Sequence, residues 1–319
     1  MTDSILLVLG GLVLLGLGGE LLVRGAVGMA ARLGISPLLA GLTIVGFGTS
    51  TPELATSVQA ALAGSPGIAI GNVVGSNIAN ILFILGLSAV ILPLSVNPAS
   101  FTRDSIALGG SALLCTGAVL YGFMGPAIGI TLLAALVGYV WWAYKAESAV
   151  PCPEGDRHVH EAEDRPPPPN TGPVVLAGMI IAGLALAIVG AGWLVDGATV
   201  LASAAGVSET VIGLTVVAVG TSLPELIACI VAVVRKHEDV ALGNIVGSNI
   251  YNILGILGIT SVISPIAVPA EIAAVDIWVM LGVTALLLVQ LRSGWKLSRL
   301  EGAVLVALYI GYTILLATR

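Results

Sequence analysis

Charge is what this sequence has least of. Only 9% of its 319 residues are Asp, Glu, Lys or Arg, and the mean hydropathy is +1.07. So few charges cannot cover a soluble globular surface. Apolar runs of roughly eighteen residues or more, the length that crosses a hydrocarbon core, recur along the chain instead. Basic clusters are missing too, and with a formal net charge of -6 no nucleic-acid partner is expected. Cysteine is nearly absent. Cys115, Cys152 and Cys229 stand far apart without C-x-x-C spacing, which excludes a disulfide framework and a metal knuckle. None of the histidines, His158, His160 and His237, falls within an apolar run. That excludes a soft-metal site and a Ser–His hydrolase inside the membrane, so neither an enzyme nor a bound cofactor is expected. The opening Met1-Thr2-Asp3-Ser4 lacks a basic n-region, and no small-x-small cleavage pattern follows. The first apolar run therefore reads as a span, not a signal peptide.

What is there is a duplicated element. Gly48-Thr49-Ser50-Thr51-Pro52-Glu53 returns as Gly220-Thr221-Ser222-Leu223-Pro224-Glu225, a shift of 172 positions from Glu53 to Glu225. Each copy sets a carboxylate, hydroxyls and a proline inside an apolar run. A charge at bilayer depth costs about 3 kcal/mol on insertion scales, so two in matched positions point to a site at the membrane midplane. Pro52 has no N–H and clashes with the carbonyl four residues back, so the helix must break there. The break frees carbonyls near Gly46 to Thr49, and equally near Ala218 to Thr221. Such oxygens need a partner in a bilayer, and a bound cation is one.

Ten spans can be drawn, at roughly 4–22, 36–62, 69–91, 104–122, 126–144, 173–195, 209–234, 240–263, 273–291 and 301–317. The second and seventh carry the proline breaks. Eleven of the Lys and Arg residues, including Arg24, Arg32, Arg103, Arg235 and Arg292, then fall on one side, and only Arg319 falls on the other. The positive-inside rule makes the first side cytoplasmic and sends both termini outward. Residues 41–54 align with 213–226, and 71–86 with 243–258, at the same shift. The shift extends weakly to Leu22-Val23 with Leu194-Val195, Pro93 with Pro265 and Asp104 with Asp276. The expected fold is an all-α polytopic membrane protein. A five-helix repeat over 1–144 and a second over 173–319 flank a cytoplasmic linker, 145–172. An odd number of spans per repeat inverts one half relative to the other, as in many secondary transporters. The linker is rich in proline, and its His158-Val159-His160-Glu161 run reads as a solvated acidic stretch. Glu20, with Arg24 one turn on, reads as a carboxylate near a helix end.

A second element is also duplicated: Gly71-Asn72-Val73-Val74-Gly75-Ser76-Asn77-Ile78-Ala79-Asn80 and Gly243-Asn244-Ile245-Val246-Gly247-Ser248-Asn249-Ile250-Tyr251-Asn252. Asn72, Ser76 and Asn80 make a polar stripe on one helical face, while Gly71 and Gly75 allow another helix to approach. Asn80 and Asn252 are expected to face the site, with Ser76 and Ser248 beside them. Carboxylate, hydroxyl, amide and carbonyl are all oxygen donors. They suit hard cations such as Ca²⁺, which takes about six to eight oxygens, and Na⁺. Two glutamates balance one divalent or two monovalent ions, so Ca²⁺ competes with Na⁺ or H⁺ for the same oxygens. Cys229, whose counterpart is Ser57, reads as a small apolar residue. A passive channel fits less well, since it needs no pair of inverted halves.

These four motif copies resemble the α-repeats of the calcium/cation antiporter superfamily, and most of all a prokaryotic sodium/calcium exchanger. The resemblance covers nearly the whole chain. It implies ten helices with spans 2, 3, 7 and 8 around the site and spans 1 and 6 as a sliding pair. It also implies Glu53 and Glu225 as the central Ca²⁺ ligands, joined by the carbonyls of Thr49 and Thr221. Na⁺ positions would use Ser50, Ser222, the carbonyls of Gly46 and Ala218, and Ser76 and Ser248, with Asn80 and Asn252 at the polar positions of the third and eighth helices. Ca²⁺ and Na⁺ are then substrates, the bilayer of a prokaryotic inner or plasma membrane is the setting, and one chain completes the site, so a functional monomer is expected. Potassium-dependent relatives carry Asp where this chain has Asn252. With Asn in both halves the site keeps two formal negative charges, which argues against potassium co-transport and leaves Na⁺ or H⁺ as the counter-ion.

Overall fold

The computed structural model describes residues 2–96, 98–148, 171–205 and 218–317. Most of the linker (149–170), with Cys152, His158 and His160, and the first part of the seventh span (209–217) lie outside the described residues.

Proline sets the start of most helices, because the first turn has no use for its missing N–H. Helix α1 covers Thr2–Leu33, and α2 (Pro37–Thr49) begins at Pro37, with the Ser36 hydroxyl accepting from Leu39 N at 3.1 Å. They are followed by α3 (Thr51–Leu62), α4 (Pro66–Ile91), α5 (Pro98–Tyr121) and α6 (Pro126–Ser148). The second half holds α7 (Pro173–Ala204), α8 (Ala218–Thr221), α9 (Leu223–Val234), α10 (Glu238–Ile263), α11 (Ile272–Arg292) and α12 (Arg299–Ala317). Among the described residues, eight of these helices are long and apolar enough to cross a membrane. With two short strand pairs as the only strands among the described residues, the chain is an all-α membrane protein.

Helices α1 and α7, the first and sixth expected spans, are longer than hydropathy alone suggests, reaching Leu33 and Ala204 instead of 22 and 195. In α1 the charge that would end an apolar span is neutralised, because Glu20 is ion-paired with both Arg24 and Arg235. Helices α1 and α7 lie antiparallel with their backbones in contact. Gly11 meets Gly190, Gly18 meets Gly183 and Gly197 meets Ser4, leaving no room for a Cβ. The partner number falls by seven as the α1 number rises by seven; under the 172-residue shift the Gly11 and Gly18 contacts exchange, and Gly197 on Ser4 becomes Gly25 on Leu176.

The same relation recurs elsewhere. Strand β1 (Leu94–Ser95), after α4, pairs antiparallel with β4 (Lys296–Leu297), after α11, and β2 (Phe123–Met124), after α5, pairs with β3 (Ile266–Ala267), after α10. Gly86 of α4 packs on Gly302 of α12, while Gly258 of α10 packs on Gly129 of α6. Asp104 accepts from the Tyr139 hydroxyl at 3.3 Å and Asp276 from the Tyr312 hydroxyl at 3.1 Å. Each contact joins one half to its counterpart or is repeated in both. The main core surrounds α4 and α10, whose apolar residues Ile78, Ile81, Leu85, Ile250, Ile253 and Leu257 are fully buried.

The glycines of the second motif, Gly243 and Gly247, lie directly on the α2 backbone at Leu38 and Leu42. The segment that would lie equivalently on Gly71 and Gly75 falls within 209–217, outside the described residues.

Candidate functional site

Both breaks fall at serine. Ser50 ends α2 with φ -79° and ψ 10°, and Ser222 ends α8 with φ -93° and ψ 9°. A single residue leaves helical geometry, and the chain resumes as α3 or α9 with proline in the first turn. This puts Glu53 and Glu225 in the first turns of those helices, where the dipole favours an anion.

The two halves are strapped to each other at this level. Ser50 Oγ donates to Glu225 Oε1 at 3.0 Å, and Ser222 Oγ donates to Glu53 Oε1 at 3.1 Å. Each serine of one half thus binds the carboxylate of the other. Both glutamates are 1% exposed. Among the described residues nothing donates to their buried second oxygens, Glu53 Oε2 and Glu225 Oε2, or to Asn80 Oδ1 and Asn252 Oδ1, and Asn252 Nδ2 finds no acceptor there either. Four acceptor oxygens without donors, two of them on carboxylates, are costly in a low dielectric. By chemistry, carboxylate and amide oxygens suit a hard cation better than an anion or a soft metal.

Asn80 and Asn252 each start a π-helical turn, Asn80–Leu85 and Asn252–Leu257, in the interior of α4 and α10. Such a bulge shifts the ladder by one residue and often accompanies a functional position. Ser76 and Ser248 are buried one turn earlier. Ser248 Oγ donates to Gly46 O at 3.1 Å, so two atoms that the family resemblance places at ion positions bind each other. Thr49 is fully buried and its hydroxyl donates to Val45 O at 3.0 Å, with Asn244 Oδ1 at 3.3 Å. Thr51 Oγ1 donates to Gly48 O at 2.7 Å. Part of the carbonyl capacity freed by Pro52 is thus taken by hydroxyls, because Thr and Ser side chains reach back one turn. Thr221 is partly buried, and Ala218 is the first residue of α8.

Two residues outside the expected ligand set support the site from behind. Asn72 Nδ2 donates to Glu53 O at 3.1 Å and Ser57 Oγ at 2.9 Å. Its counterpart Asn244 donates to Glu225 O at 3.3 Å and Cys229 Sγ at 3.2 Å. Each amide ties the helix that carries a carboxylate to the helix that carries the polar stripe. The stripe itself was the sequence signal for them. Cys229 is therefore more than a small apolar residue: its sulfur accepts where Ser57 Oγ accepts in the other half.

Comparison with known proteins identifies the family. A model of the sodium/calcium exchanger protein family matches residues 3–145 and 175–318. The antiporter candidate CaxA of Alkalimonas amylolytica is 39% identical over 328 residues, covering 99% of each chain. The sodium/calcium exchanger MaX1 of Methanosarcina acetivorans is 32% identical over 349 residues, again 99% of each. The solved structure of the sodium-calcium exchanger NCX_Mj, from a crystal soaked without Na⁺ and Ca²⁺, superposes with a TM-score of 0.82 at 33% identity, covering 97% of this chain and 98% of the other. Duplicated glutamates on broken helices, cross-bound by serines within an all-α membrane fold, are thus features of a chain that belongs to the sodium/calcium exchanger family.

Proposed function

We propose that this protein is a secondary antiporter that exchanges Ca²⁺ for Na⁺ by alternating access. The observation that carries the proposal is the pair of buried, cross-strapped carboxylates, each with one oxygen that lacks a donor among the described residues. The named function of MaX1 and of NCX_Mj supports the same substrates. In this reading Glu53 and Glu225 ligate Ca²⁺ together with the carbonyls of Thr49 and Thr221. Na⁺ takes positions lined by Ser50, Ser222, Ser76, Ser248 and the carbonyls of Gly46 and Ala218, and Asn80 and Asn252 supply amide oxygens.

The architecture proposed is ten spans in two inverted five-helix repeats, 1–144 and 173–319, with the linker 145–172 cytoplasmic and both termini outside. The antiparallel α1–α7 contact and the exchanged strand pairs support that inversion. One chain contributes both carboxylates, so the unit of function is a monomer in the bilayer, and no cofactor takes part.

Coupling follows from charge. An ion-filled site is neutral and can be passed from one face to the other as α1 and α7 shift across it. An empty site would carry two charges past an apolar barrier, at a cost of several kcal/mol (about 3 for each carboxylate on insertion scales). Exchange is therefore favoured over leak. The test is ⁴⁵Ca²⁺ uptake into inverted vesicles with Na⁺, K⁺ and H⁺ gradients imposed one at a time. Uptake driven by Na⁺ and lost in Glu53→Gln and Glu225→Gln is expected. Uptake driven by a pH gradient alone would replace Na⁺ with H⁺ as the counter-ion.

A further inference from the structure

Away from the site, one charged cluster joins two elements that the fold otherwise holds by smooth contact. Arg235 follows the last turn of α9, the helix whose first turn carries Glu225. Its guanidinium grips the Glu20 carboxylate of α1 at both forks, Nε to Oε2 at 3.0 Å and Nη2 to Oε1 at 2.7 Å. Arg24, one turn along α1, pairs with the same carboxylate. A bidentate guanidinium–carboxylate pair is specific in geometry as well as charge. Glu20 is 24% exposed and Arg235 is 30% exposed, so solvent screens the pair only in part.

The surroundings of this pair are unlike it. Helices α1 and α7 touch backbone to backbone, and Leu15, Ala187 and Ala191 form a small cluster separate from the main core, with Leu223 and Ile227 of α9 against it. Gly19, next to Glu20, rests on the Ile227 and Val231 side chains. Glycine against aliphatic side chains gives no directional hold along the helix axis. The ion pair does, and it is one-sided. Under the repeat shift Glu20 corresponds to Gly192 and Arg235 to Ala63, so the opposite end has no equivalent, and Arg24 corresponds to an acid, Asp196.

We propose that the Glu20–Arg235 pair is a latch that holds α1 against the Glu225-bearing helix, closes the face of the site on which Arg235 lies, and opens when that face admits ions. It rests on the antiporter reading above, since only an alternating protein has a closed face to hold. Breaking the latch shifts the balance of the two states toward the one open at that face, so apparent affinities at the two faces must move in opposite directions.

The experiment uses the full chain in oriented proteoliposomes, comparing wild type with Arg235→Gln, Arg235→Lys and Glu20→Gln. The expected result for Arg235→Gln is a Ca²⁺ KM lower at the Arg235 face and higher at the other, each by about 1.5- to twofold, so that their ratio changes about threefold, the size of shift a partly exposed pair supplies. Arg235→Lys should lie between, and Glu20→Gln should reproduce the effect from the other helix if the Arg235 variant folds poorly. Hydrogen exchange in α1 over residues 20–33 should also quicken about threefold in Arg235→Gln, independently of transport. Unchanged KM at both faces, a shift of the same sign at both, or unaltered hydrogen exchange would overturn the latch. A wild type that fails to exchange Ca²⁺ for Na⁺ would overturn the antiporter reading instead, and the hydrogen-exchange comparison would still judge the latch.

Discussion

Replacing Glu53 with Gln keeps the side chain's size and leaves an oxygen for the Ser222 hydroxyl, but removes one of two buried charges. At 1% exposure Glu53 belongs to the buried regime, where deleting one partner of a charge pair costs about 3–5 kcal/mol. Applied to a bound Ca²⁺, that is a loss of roughly two to three and a half orders of magnitude in affinity. At a Ca²⁺ concentration of 100 Kd the wild type gains about 2.7 kcal/mol of stability, or about 5 °C in Tm at roughly 2 °C per kcal/mol for a chain of this size. At the same concentration the variant sits at or below its own Kd and gains about 0.4 kcal/mol at most, under about 1 °C. Without ions the order inverts: the wild type buries two neighbouring carboxylates and the variant one, so Glu53→Gln should melt higher than wild type in chelator. Thermal unfolding of the detergent-purified protein, followed by intrinsic fluorescence across a Ca²⁺ titration, reads both effects. A full wild-type Ca²⁺ shift in the variant, or a lower melting point in chelator, would refute the assignment of Glu53 as an ion ligand.

Other expectations follow from the same geometry. Asn252→Asp adds a third buried carboxylate to those of Glu53 and Glu225. It should lower Tm in chelator by several degrees and restore it with Ca²⁺, since an uncompensated buried charge is costly. Asn72→Ala leaves Glu53 O and Ser57 Oγ without their donor. The expected loss is about 1–3 kcal/mol in unfolding assays, with slower ⁴⁵Ca²⁺ flux, and Asn72→Asp, which cannot donate, should not restore it. Gly183→Ala would drive a Cβ into Leu22 N, costing about 1–3 kcal/mol as overpacking, while Gly178→Ala, with open space around it, should be neutral or slightly stabilising in the same melt. Lys236 adopts φ 59° where its counterpart Gly64 adopts φ 74°. Lys236→Gly should therefore raise stability by up to about 1 kcal/mol, a gain that Gly64→Ala would mirror as a loss.

Much of this protein is legible in its sequence, because membrane insertion depends on local physics. Hydropathy over a window of residues marks spans, proline marks breaks, and a carboxylate in an apolar run marks itself by its cost. The constant shift between Glu53 and Glu225 likewise belongs to the sequence, as do the polar stripe from Asn72 to Asn80 and its copy from Asn244 to Asn252.

Which side chain meets which was decided by the tertiary structure. Ser50 binds Glu225 and not Glu53, Arg235 binds Glu20 from across the chain, and Ser248 holds Gly46 O. Nothing in the spacing of Asn72 distinguishes a ligand from a residue that supports Glu53 from behind, and nothing near Cys229 shows that its sulfur accepts from Asn244. Those contacts depend on the rotation and register of helices that are distant along the chain, quantities that packing sets through close approaches such as Gly18 on Gly183. The sequence by itself determined that two charged breaks exist and that they are related. The fold turned them toward each other, and only facing each other can two carboxylates balance one divalent cation.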